Sequence, residues 1–189
     1  TLKTLLRPFL QELADRHNET VGLCIPDGNC ALYIDQINPE HYIQVSDWTG
    51  ERFPLHTVSS GKVFLAYAPD ETVAGYLAQP LVGFTSHTLI DSALLRKRLG
   101  EIRAAGHDWS FEEFTEGLAV VSAPIMGLDD AVIASIYLCG PIFRFPPVGQ
   151  EQQISASLKE CCQRVHQLII GQVLDHEHLH EGSQTPARK

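Results

Sequence analysis

Pro54-Leu55-His56-Thr57-Val58-Ser59-Ser60-Gly61-Lys62-Val63-Phe64-Leu65-Ala66 is the stretch from which the rest of the chain can be read. It begins as a polar, glycine-bearing loop and turns into an apolar helix. Ser59 or Ser60 suits the N-cap, because a serine hydroxyl accepts a hydrogen bond from an N–H of the first turn. The N–H groups left over there, with the positive end of the helix dipole, can receive an anion. A nucleotide phosphate loop is excluded. His56 stands where that motif needs its first glycine, and Val63 where it needs the magnesium-binding hydroxyl. Lys62 is therefore read as a surface or salt-bridged lysine.

Working outward toward the N-terminus, His41–Val45 can form a third strand beside a hairpin. Val21, Leu23 and Ile25 alternate in the first strand, Pro26-Asp27-Gly28-Asn29 supplies the turn, and Cys30–Ile37 is the second strand. With Asp27-Gly28 as a two-residue loop, Cys24 and Cys30 point to opposite faces and form no disulfide. Leu2, Leu5, Leu6, Phe9, Leu10, Leu13 and Ala14 make one helical stripe, which Pro8 either starts or kinks. A stripe that begins at Leu2 suggests a helix continuing from a preceding segment, or packing on another chain.

Toward the C-terminus the helix runs over Lys62–Ala68 and stops at Pro69. A short helix follows through Leu77, then a loop over Gln79–Ser86. Asp91 caps a helix from Ser92 to Ala105, with Leu94, Leu95, Leu99 and Ile102 as its stripe and Gly106 as its stop. His107–Phe111, Leu118–Ile125 and Ala131–Cys139 read as strands. The last helix spans about Gln150 to Leu174, and the polar stretch 175–189 reads as a disordered tail. The order α, three strands, helices, three strands, α describes one α+β domain over residues 1–174, an antiparallel sheet of about six strands flanked by helices.

The 189 residues, 44% hydrophobic and 20% charged, suffice for one domain with a real core. A net charge of −9 opposes nucleic-acid binding by this chain's own surface. Arg96-Lys97-Arg98, its one dense basic run, reads as a solvated helix face. No stretch approaches the ~20 apolar residues of a membrane span, and no signal peptide heads the chain. An odd count of five cysteines suits a reducing compartment, so the expected location is the cytoplasm.

Leu55-His56-x-x-x-Ser60-Gly61-Lys62-x-x-Leu65-Ala66 resembles the central signature of the IclR family of bacterial transcription regulators. Glu19-Thr20-Val21, Arg52-x-Pro54-Leu55 and Thr88-Leu89-Ile90-Asp91 agree with it in order and spacing. So do Ile102-Arg103-x-x-Gly106, Glu112-Glu113-x-x-x-Gly117, Ala123-Pro124-Ile125 and Cys139-Gly140-Pro141. The resemblance implies a C-terminal effector-binding domain with a curved, GAF/PAS-like antiparallel sheet, no cofactor and no metal. It further implies homodimers or homotetramers, and contact with operator DNA only through an N-terminal winged helix-turn-helix that this chain lacks.

The resemblance also places a small-acid pocket. It implies the backbone N–H groups of Ser59 and Ser60 beside Gly61, the side chains of Ser110 and Val120, and two alternate positions before the Gly-Pro, Tyr137 and Cys139. Strand periodicity independently sets Tyr137 with Cys139, and Val120 with Ser122. Val120 and Tyr137 make the pocket less polar, which favours an aromatic or otherwise hydrophobic organic acid. On this reading Tyr137→Ala weakens effector binding.

Three other features have sharper readings. Glu112, Glu113 and Glu116 could pair for acid–base chemistry, but adjacent acids in a turn are ordinarily solvated or structural. His176 and His180 share a helical face that could trap a metal. Cys139 supports an alternative function, a redox sensor or thiol enzyme on a GAF-like fold, provided its thiolate is accessible and stabilised.

Overall fold

The computed structural model describes the backbone of residues 1–181 and the side chains of residues 1–173. Six antiparallel strands form one sheet: β1 Thr20–Asp27, β2 Cys30–Ile37, β3 Arg52–Pro54, β4 Asp108–Phe111, β5 Leu118–Met126 and β6 Val132–Pro141. Their spatial order is β3-β2-β1-β6-β5-β4. The helices are α1 Leu2–His17, α2 Ser59–Tyr67, α3 Asp70–Leu77, α4 Ser92–Ala105 and α5 Glu151–Glu181, with a single 3-10 turn at Leu55–Thr57.

The helices cover both faces of the sheet. On one face Leu6, Leu10 and Leu13 of α1 and Ile154, Leu158, Cys161 and Val165 of α5 bury Val21, Leu23, Val121, Ala123, Ile136 and Leu138. On the other, Val63 and Leu65 of α2 and Leu95, Leu99 and Ile102 of α4 join a second core with Cys24, Tyr33, Tyr137 and Cys139. The strand period divides each strand between these cores, as a two-sided sheet requires. Side chains of α1 grip the sheet directly: buried Asp35 of β2 accepts from Arg7 at 2.5 Å and lies 3.8 Å from Lys3.

Local chemistry explains most of the boundaries. Asp91 accepts from the N–H groups of Ala93 and Leu94 at 2.8 and 2.9 Å, starting α4, and Gly106 ends it with φ +76°. Asn18, at φ 51°, ends α1 with its N–H on the Ala14 carbonyl. Pro8 lies inside a continuous α1 rather than starting it.

Several expectations need correction. His41–Val45 is not a strand: Tyr42 and Ile43 are both exposed and Val45 alone is buried, so no alternating face forms, and Arg52–Pro54 pairs with Cys30–Leu32 instead. The hairpin closes over Gly28-Asn29, since Asp27 pairs with Cys30; that register sets Cys24 opposite Tyr33, and a bulge between Leu23 and Cys24 then moves Leu23 opposite Asp35. Cys24 and Cys30 still diverge, by a different register, and both are free thiols. Leu94 leaves the α4 stripe and is exposed. α5 continues past Leu174 to Glu181, into the stretch 175–189 expected to be a disordered tail, and residues 182–189 of that stretch lie outside the described residues.

Candidate functional site

α2 begins at Ser59, and its N-cap is Val58, which has no side-chain oxygen to offer. The expected serine cap is therefore absent: Ser59 and Ser60 are the first two residues of the helix itself, and both hydroxyls are engaged elsewhere. Ser59 Oγ donates to the Asp108 carbonyl at 3.0 Å, and Ser60 Oγ lies 3.1 Å from Ser122 Oγ. The first N–H of this helix to reach an acceptor four residues back is that of Lys62, bonded to Val58. The N–H groups of Ser59, Ser60 and Gly61 precede it and have no acceptor of that kind. All three residues are buried. Gly61 is required there: a Cβ would lie 2.2 Å from the Leu55 carbonyl oxygen.

Sheet register brings the other sequence-predicted residues against this turn. Ser110 pairs with Val120, Val120 with Cys139, and Cys139 with Thr20, forming one row across four strands. The next row on the same face runs Asp108, Ser122, Tyr137, Gly22 and Gln36. Ser59, Ser60, Gly61, Ser110, Val120, Tyr137 and Cys139 thus share the α2 side of the sheet. The side chains are packed shut: Ser59, Ser60, Tyr137 and Cys139 are each at most 2% exposed.

Aromatic rings that sequence reasoning did not single out fill this face. Tyr33 contacts Trp48 and Phe53 edge-on, with centroids 5.9 and 5.4 Å away, and Tyr137 at 5.2 Å. Phe114 joins Phe53 at 4.5 Å, Trp48 at 5.6 Å and Phe84 at 5.8 Å. Gln36 ties the cluster to the loop before β3. Its Oε1 accepts from Tyr137 Oη at 2.7 Å and the Trp48 N–H at 3.3 Å, while Nε2 donates to the Ser46 carbonyl. Alternation in β2 carries the signal for Tyr33. Trp48, Phe84 and Phe114 lie in irregular segments, where no period marks the inner side.

Under the site lies a closed charge network. Lys62 Nζ is fully buried, 2.5 Å from Glu113 Oε2 and 3.4 Å from Asp108 Oδ2. Arg98 of α4 reaches Asp108 at 2.8 Å and Glu113 at 3.0 Å. Two cations and two carboxylates balance, so the network adds no net charge to the site while it ties α2, α4 and β4 together. The salt-bridged reading of Lys62 holds and the surface reading does not. Glu113 is a structural acid, and Glu112 Oε1 accepts the Gly117 N–H to shape the turn.

Cys139 is poorly suited to thiol chemistry. Burial, then the nearby Glu19 charge, pushes its thiol far above the ordinary range, away from a reactive thiolate. Burial likewise holds the Tyr137 phenol in its protonated, donating form. Among the described residues no group of three or more His, Cys, Asp or Glu side chains is placed to hold a metal ion, and no helix is long and apolar enough to cross a membrane. The side chains of His176 and His180 lie outside the described residues.

Residues 1–167 match the profile of a family described as bacterial transcriptional regulator IclR C-terminal. The HTH-type transcriptional regulator Rv1719 of Mycobacterium tuberculosis is 36% identical over 155 residues, which cover 82% of this chain and 59% of that protein. The chain therefore spans little more than half of that relative's length. The crystal structure of Thermotoga maritima IclR matches with a TM-score of 0.84 at 26% identity, over 89% of this chain and 68% of that one. An IclR homologue from Microbacterium hydrocarbonoxydans, complexed with 4-hydroxybenzoate, matches with a TM-score of 0.79 at 22% identity, over 90% and 68% of the two chains. That last likeness speaks for the fold alone.

Proposed function

The chain belongs to the IclR family of bacterial transcriptional regulators, and we propose that its buried aromatic face receives a small aromatic or otherwise hydrophobic organic acid. The carboxylate is held by the N–H groups of Ser59, Ser60 and Gly61, and Ser110, Val120, Tyr137 and Cys139 border the rest. The observation that carries this is the start of α2, a helix N-terminus without a side-chain cap whose N-cap residue, Val58, belongs to the same buried cluster as Tyr33 and Tyr137. Each charge-assisted hydrogen bond there contributes about 1.5–3 kcal/mol. The 4-hydroxybenzoate bound by the Microbacterium homologue is of this chemical class.

On this reading residues 1–174 form a sensing domain that catalyses no reaction and works in the cytoplasm. Homodimers or homotetramers present DNA-binding domains carried elsewhere in the protein, and the effector shifts the balance between their arrangements. The test is a thermal-shift series with benzoate, 4-hydroxybenzoate and pyruvate, with benzamide and 4-hydroxybenzamide as neutral controls. A ligand at 100 times its Kd adds about 2.7 kcal/mol of stability. Stabilisation by an aromatic acid but not its amide supports the reading. A response to pyruvate alone removes the aromatic preference, and no response to any acid removes the anion anchor.

A further inference from the structure

Gly22 and Tyr137 face each other across β1 and β6. A Cβ on Gly22 would lie 2.2 Å from Cζ and Oη of Tyr137, so the phenol rests on the strand where only glycine leaves room. Tyr33 stands 5.2 Å from the ring, and Gln36 Oε1 accepts the hydroxyl at 2.7 Å. Ser122, the β5 partner of Tyr137, touches Ser60 in the first turn of α2. Tyr137 thus stands one strand over from the residue that meets the proposed acid anchor, and its ring fills an aromatic seat with a hydrogen-bond acceptor at its hydroxyl end. A flat, hydroxylated ring in that place would meet those same contacts.

We propose that the Tyr137 phenol is a built-in occupant of the effector's ring seat, and that an effector binds by displacing it. The inference rests on reading this face as the effector site. It names the ligand class more closely: a phenolic acid, whose ring replaces that of Tyr137 on Gly22 and whose hydroxyl takes over Gln36 Oε1. Tyr137 then sets affinity and specificity by competition. Its truncation opens the seat rather than deleting a favourable contact, which reverses the effect expected from sequence.

The test compares the full 189-residue chain with Tyr137→Ala and Tyr137→Phe, using calorimetric binding of phenol, 4-hydroxybenzoate and 4-hydroxybenzamide. Tyr137→Ala leaves a vacancy the size of phenol. It should bind phenol, which the parent chain excludes, and should bind 4-hydroxybenzoate at least tenfold more tightly than the parent does. 4-Hydroxybenzoate should also surpass phenol and the amide, because its carboxylate reaches the α2 N–H groups. A cavity remote from that turn gives the opposite ranking, since burying an unpaired carboxylate is costly, and that ranking overturns the proposal. Tyr137→Phe keeps the ring but loses the bond to Gln36, and should bind 4-hydroxybenzoate several-fold more tightly than the parent. If Tyr137→Ala does not fold, equal affinities of Tyr137→Phe and the parent overturn the proposal. Where the parent chain binds an aromatic acid and neither variant binds it more tightly, the built-in occupant fails and the effector reading stands. Where no acid binds any of the three, both fail.

Discussion

Gly61 rests so closely on Leu55 that a Cβ added to it would meet the Leu55 carbonyl oxygen at 2.2 Å and its Cα at 2.5 Å. In an ordinary helix Gly→Ala stabilises by up to about 1 kcal/mol. Here the obstacle is backbone and cannot rotate aside, so Gly61→Ala should destabilise the domain by about 1–3 kcal/mol or more. Urea unfolding gives the sign directly, and a gain in stability would refute the close contact.

The Lys62 network makes a second prediction. Replacing Lys62 by Met leaves Glu113 and Asp108 sharing one cation, Arg98, in a buried site. Breaking a buried pair by removing one partner costs about 3–5 kcal/mol. Lys62→Met with Glu113→Gln should recover part of that loss, because contacting residues are not additive. A double-mutant cycle with coupling near zero would show that the pair is not formed.

His56 predicts a pH dependence. Its Nε2–H donates to the Val82 carbonyl at 2.8 Å, and Nδ1 accepts the Tyr76 hydroxyl at 2.7 Å. That arrangement uses the neutral ring, and burial lowers its pKa despite the opposing bond to Val82. Burial also lowers His17 and His107. A folded-state pKa below the unfolded value of about 6.5 means that the unfolded chain binds more protons as pH falls. The stabilisation is therefore complete above about pH 6.5 and is lost as pH drops from there through the folded values. Urea midpoints at pH 7.5, 6.5 and 5.5 should fall in that order, with a shallower slope for His56→Asn. A slope unchanged in that variant would exclude His56.

Thiol accessibility should follow burial. Cys24, Cys139, Cys161 and Cys162 are buried, whereas Cys30 is half-buried. Thiol titration of the native chain with an aromatic disulfide should show one fast site, abolished in Cys30→Ser, and four more only on unfolding. Fast labelling of Cys139 would revive the thiol reading of this face.

Asp91 offers a milder control. Its carboxylate caps two N–H groups of α4, so Asp91→Ala should cost about 1 kcal/mol. The Asp91 carboxylate is exposed and its two bonds go to the α4 backbone, so ligand binding should not change. A shift in acid affinity would tie α4's start to the site.

The elements that were legible in sequence are those whose residues declare their own environment. α4 carries a capping Asp91 and a terminating Gly106, and β5 and β6 are long runs of β-branched and small apolar residues. Strand alternation was enough to put Tyr137 and Cys139 on one face. His41–Val45 misled because alternation marks a strand only when one side is buried, and Tyr42 and Ile43 face solvent. The serines before Gly61 looked like caps because sequence does not show that Asp108 and Ser122 would claim their hydroxyls. Trp48, Phe84 and Phe114 were invisible for a related reason. They meet Tyr33 and Phe53 through loops, and loop paths are set by the finished structure.

The strand order carries a consequence for how the chain assembles. β1 and β6 are neighbours at the centre of the sheet, with Thr20 opposite Cys139. The middle of the molecule is therefore joined by residues from near opposite ends of the domain, and that contact closes a loop containing most of the chain. Such long-range closure is slow. During synthesis the β1–β2 hairpin must wait, one edge unpaired, until β6 leaves the ribosome. Until then Val21 and Leu23 lack their neighbours, and the half-built sheet presents an edge to other chains.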